Sequence, residues 1–113
     1  MLAKNPAGWA ELLALVCPGT TPVVVSINAR VADGRDPSWL WDVPFEKLAG
    51  RMVVATGERC RDLAVRLRYA EVDHTTMADP LAAVAAAGRE AEGDGRVEFI
   101  GNYTAFHDLL ALR

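Results

Sequence analysis

Two short runs, Val23-Val24-Val25 and Met52-Val53-Val54, carry no polar alternation and are bounded by turn-forming and charged residues. A strand that faces water on one side alternates apolar and polar side chains. A run apolar throughout is covered on both faces, as strands of parallel sheets are. Parallel strands cannot be joined by a tight hairpin, so runs of this kind require crossover segments between them.

The rest of the chain reads as such segments. Pro6 opens a stretch in which Trp9, Leu12, Leu13 and Val16 recur at helical spacing until Pro18-Gly19 ends it. Thr21 to Ile27 is predicted as a strand, Phe45 to Leu48 as a short helical turn, and Arg51 to Ala55 as the next strand. From Gly57 a helix is predicted to about Tyr69, with Cys60, Leu63, Ala64 and Leu67 inside and Arg59, Arg61, Asp62, Arg66 and Arg68 in solvent. Asp79-Pro80 caps and opens an Ala-rich helix to about Ala91. Gly93-Asp94-Gly95 then turns into a strand over Val97 to Ile100, and a closing helix over Thr104 to Leu112 turns Phe106, Leu109 and Leu110 inward. Met1-Leu2-Ala3 reads as the tail of a further strand, as though the chain were a piece of something longer. Alternation of strand and helix predicts an α/β, Rossmann-like fold, a mostly parallel sheet flanked by helices with right-handed crossovers.

With 113 residues, 51% of them hydrophobic, the chain has material for one core and is expected to form one domain over 1–113. A net charge of −3 argues against tracking along nucleic acid, although Arg59, Arg61, Arg66 and Arg68 are placed to form a local basic face. Cys17 and Cys60 stand far apart without a Cys-x-x-Cys pattern, which fits a reducing, cytoplasmic setting. No apolar run approaches the roughly 20 residues of a membrane span. His74 and His107 lack metal-ligand spacing and read as surface or capping residues, and Cys60 lies on the inward stripe of its helix. There is no serine elbow, no phosphate loop and no Gly-x-Gly-x-x-Gly, so the chain carries no complete catalytic apparatus of its own.

In sheets of this class ligands gather at the carboxyl ends of the strands. Four polar clusters follow predicted strands: Lys4-Asn5, Asp33 to Asp42, Thr56-Gly57-Glu58-Arg59 and Gly101-Asn102-Tyr103-Thr104. The densest holds Asp33, Asp36 and Asp42 together with Arg35, Trp39 and Trp41 around a Gly34 and Pro37 turn. Each carboxylate can be read as a solvated turn-capping acid. Held after a parallel strand, each can also be read as a group that orients an imidazole, and since no histidine lies nearby in the sequence, that imidazole has to come from another protein or domain. Two indoles in one acidic turn are hard to bury together because each N–H needs a partner, so they read either as packing or as contact residues. Trp9, on a helical core face, reads as structural.

Lys4-Asn5-Pro6-Ala7-Gly8-Trp9, Asp33-Gly34-Arg35-Asp36-Pro37-Ser38-Trp39-Leu40-Trp41-Asp42, Thr56-Gly57-Glu58-Arg59, Arg66-Leu67-Arg68-Tyr69-Ala70 and Asn102-Tyr103-Thr104-Ala105 together resemble the C-terminal domain of the MurT family. MurT proteins are the Mur-ligase-like subunits of lipid II isoglutaminyl synthase, and the resemblance spans nearly the whole chain. It implies a Mur ligase C-terminal fold and a glutamine amidotransferase partner, GatD. It also implies that the pair amidates the α-carboxylate of D-glutamate in the peptidoglycan stem peptide, at the inner face of the membrane. ATP with Mg2+ activates that carboxylate as an acyl phosphate on the ligase subunit, and GatD releases ammonia from glutamine with a Cys–His pair. The family supplies the acid of that pair from the MurT C-terminal domain. Asp36 is the first choice here, with Asp33 and Asp42 in reserve, and Arg35, Trp39 and Trp41 fall to the docking surface. Lys4 and Asn5 match a segment that in Mur ligases faces the central domain, near ATP or the acceptor peptide, although Asn5 reads equally as a helix cap. The ATP-binding central domain and the N-terminal domain have no counterpart in these residues, so no activity is expected of the domain alone, nor any cofactor bound to it. Two other readings stand beside this one. The first is an interaction module whose acidic turn binds a partner without chemistry; the second, a free-standing nucleotide-binding domain, is weakened by the missing phosphate loop.

Overall fold

The computed structural model describes residues 2–3, 5–16, 21–29, 36–91 and 96–111. Among them, four strands form one parallel sheet: β1 (Val23–Ser26), β2 (Val53–Thr56), β3 (His74–Thr76) and β4 (Glu98–Gly101), in the order β3-β2-β1-β4. Four α-helices accompany them: α1 (Pro6–Val16), α2 (Cys60–Tyr69), α3 (Pro80–Glu90) and α4 (Tyr103–Ala111). Every side chain of β1 and β2 is buried, which is why neither run alternates in sequence. Their register is direct, Val23 beside Val53 and Val24 beside Val54, with Val24 also beside Phe99 of β4.

The strand order explains how the two faces are filled. From β2 to β3 the chain moves one place outward, and from β3 to β4 it returns past β1 to the opposite edge. Right-handed crossovers in opposite directions place α2 and α3 on opposite faces. On one face Val23, Val25, Ile27, Val53 and Ala55 meet Trp9, Leu13 and Val16 of α1 and Leu63 and Leu67 of α2. On the other, Val24 and Val54 meet Ala83 and Ala87 of α3. The first core is the larger, and each fully buried Leu or Phe there contributes about 1.5–3 kcal/mol by removal from water.

Between β1 and β2 the described part of the crossover holds two 3-10 helices, Pro37–Asp42 and Phe45–Leu48, the second matching the predicted helical turn. Leu40, Val43, Phe45 and Leu48 from this segment are buried in the larger core. Arg51 closes the crossover from inside: its guanidinium donates to the carbonyls of Val16 and Thr21, joining the end of α1 to the approach to β1.

Several expectations are corrected. The strand at His74–Thr76 has no counterpart among the expected elements, because it is a three-residue edge strand with exposed threonines and no apolar run. His74 is therefore a strand residue, its Nδ1 within 2.8 Å of the Val72 carbonyl. The helix expected from Gly57 starts at Cys60, since Gly57, Glu58 and Arg59 form the turn into it. Arg66, expected in solvent, is buried. Leu110, expected inside, is exposed on α4, which runs over Tyr103–Ala111. The predicted strand tail at the start is a single parallel bridge, Leu2 to Gly101, followed by a hydrogen bond from the Ala3 N–H to the Gly101 carbonyl.

Candidate functional site

All four strands run the same way, so their carboxyl ends share one rim. Asn5 lies there because Leu2 and Ala3 run alongside the end of β4. Its side chain accepts from the Gly8 N–H at 2.8 Å and so caps α1, whose first residue is Pro6. Lys4 falls outside the described residues.

The point where the strand order reverses lies between β1 and β4. Asn28 and Asn102 face each other across it: the Asn28 N–H donates to Asn102 Oδ1 at 3.1 Å, and Asn102 Nδ2 donates back to the Asn28 carbonyl. Both residues are buried, and the paired amides extend the ladder beyond the last residues of the strands. Asn28 Oδ1 also accepts from the Glu58 N–H at 2.9 Å, tying the turn after β2 to the same point. Gly57 has φ of +95°, and a Cβ there would sit 2.6 Å from the Ile27 carbonyl oxygen, so only glycine fits. Nucleotides enter such sheets at the switch point. Here the Asn28–Asn102 pair bridges the two strand ends. Asn28 is marked in the sequence only as an amide two residues past a fully buried strand.

After Ala29 the chain passes through Asp33 and Arg35, which lie outside the described residues, and returns at Asp36. Asp36 is the N-cap of the 3-10 helix Pro37–Asp42: its Oδ1 accepts from the Ser38 N–H at 3.0 Å while the residue stays exposed. A carboxylate offers about four acceptor positions, so capping leaves others for a further donor. Asp42, also exposed, ends the same helix. At about 2 Å of rise per residue the two lie roughly 12 Å apart, too far to serve one imidazole together.

The two indoles of the bend part company. Trp39 is half-buried against the core, its ring centroid 5.9 Å from that of Trp9. Trp41 is 52% exposed and meets Tyr69 of α2 edge to face at 5.2 Å. Beneath Trp41 lies Arg66, whose Nε donates to the Leu40 carbonyl at 3.0 Å and whose Nη2 donates to the Val43 carbonyl at 2.6 Å. The same guanidinium forks onto Glu46, at 2.9 Å to Oε1 and 3.2 Å to Oε2. The Arg66 hydrogen bonds hold the Glu46 carboxyl below the usual glutamate range. One cation thus fastens the end of the bend, through Leu40 and Val43, to α2. A groove of 250 Å³ runs between them, lined by Asp36, Ser38, Leu40, Trp41, Asp62 and Val65.

A parallel sheet in the order 3-2-1-4, flanked by helices on both faces and with its polar loops at one rim, defines a Rossmann-like α/β domain of the Mur ligase C-terminal type. A family model described as MurT ligase C-terminal matches residues 2–106, and the chain belongs to that family. It is 43% identical over 77 residues to the lipid II isoglutaminyl synthase (glutamine-hydrolyzing) subunit MurT of Staphylococcus aureus strain COL, a match covering 64% of this chain and 18% of the relative. The protein of the same name from Streptococcus pneumoniae strain ATCC BAA-255 / R6 is 36% identical over 73 residues, covering 60% of this chain and 16% of the relative. The chain thus spans under a fifth of the length of these curated relatives. Among the described residues, no helix is long and apolar enough to cross a membrane.

Proposed function

We propose that this chain is the C-terminal domain of the ligase subunit of a lipid II isoglutaminyl synthase, acting with a GatD-type glutaminase to amidate the D-glutamate α-carboxylate of the stem peptide. On this reading the enzyme works in the cytoplasm at the inner membrane face. The observation that carries the chemical part is Asp36, an exposed carboxylate held by its own cap bond in a bend anchored to α2 through Arg66. A carboxylate held in place at the surface suits an incoming imidazole N–H. It fixes the tautomer and stabilises the imidazolium that forms when the partner's cysteine is deprotonated.

Trp41 is the main docking residue of the bend in this proposal, with Trp39 contributing the edge it leaves exposed and Arg35 flanking them. Asp33 and Asp42 remain reserves for the acid. On this reading ATP and Mg2+ belong to the central domain, which lies with the N-terminal domain outside these residues. Lys4 and Asn5, on this reading, face that domain.

The test is glutamine hydrolysis by the complex of the full-length subunit with its glutaminase. Asp36→Asn keeps a side chain that caps well, yet it replaces the anion, and a loss of about 10²-fold or more in kcat with the complex intact is expected. Unchanged hydrolysis removes Asp36 from the role. Loss of binding alone, with full activity once bound, favours the interaction module.

A further inference from the structure

We draw no further inference here: the strongest candidate, the fully buried Ser26 hydroxyl at the carboxyl end of β1, which has no hydrogen-bond partner among the described residues, carries nothing because it lies against Gly57 and the N–H groups of Glu58, Arg59 and Cys60 in the adjoining turn are already taken by Asn28 Oδ1 and the Ile27 and Gly57 carbonyls.

Discussion

The Arg66 guanidinium lies over the Trp41 indole at 5.4 Å, so the residue that reads as a solvated helix cation is the floor of the exposed aromatic surface. Its hydrogen bonds leave little room for substitution. Two go to carbonyls of the buried residues Leu40 and Val43, which water does not reach when the side chain is removed. Arg66→Ala is therefore expected to destabilise the chain by about 2–4 kcal/mol, read from urea unfolding. Arg66→Lys is expected to recover only a fraction, since an ammonium cannot reproduce a fork that meets two carbonyls and a carboxylate.

The ion pair beneath the bend gives stability a dependence on acid. Glu46 has a carboxyl pKa below its unfolded value, so its contribution is complete above the unfolded glutamate pKa of about 4.3. It is lost as pH falls through the lower folded value. With the Glu46 side chain 58% exposed, solvent screening keeps the effect small. Melting temperatures recorded from pH 7 downward should show Glu46→Gln converging on the parent protein at the acid end.

Gly57 and Gly50 both adopt positive φ, +95° and +85°, but only Gly57 is crowded. At Gly57 an added Cβ meets Ile27 N at 2.8 Å and Ser26 Oγ at 2.9 Å, whereas at Gly50 it meets nothing within 4 Å. Gly50→Ala should cost about 1 kcal/mol from backbone strain alone. Gly57→Ala should cost at least twice that, about 2–4 kcal/mol, because the turn has to shift away from β1. Parallel denaturation curves of the two variants give the comparison directly.

The Asn102 carboxamide satisfies both the N–H and the carbonyl of Asn28 where the sheet splays, so truncating Asn102 strands two buried backbone groups of Asn28. Asn28→Ala and Asn102→Ala are each expected to cost about 1–3 kcal/mol. Asn28→Ala leaves the two bonds of Asn102 in place, so the double variant should cost close to the sum of the single ones, which a double-mutant cycle measures. Asn28→Ala also releases the Glu58 N–H, so hydrogen exchange should quicken there first.

Much of the architecture was legible because its signals are local. Pro6 opens α1, and Asp79 caps α3 through the Leu81 N–H. The continuous valine runs announced strands buried on both sides. The helix over Cys60–Tyr69 shows where such reading stops. Arg66 stands three residues after Leu63 and four before Ala70, both buried, so its position is on the inner face; only its charge argued otherwise. The neutralising Glu46 lies 20 residues away in sequence, beyond the reach of any periodicity.

The amino-acid order by itself determined the class of fold and the limits of most helices, since these follow from the spacing of apolar residues and from prolines and caps within a few positions. Tertiary structure alone decided that Arg66 goes inside, that Trp39 packs on Trp9 while Trp41 stays out, that His74–Thr76 joins the sheet edge and that two asparagines bridge the strand ends at the switch point. Each of those outcomes depends on a partner brought close by folding, and an isolated segment carries no record of what will lie against it.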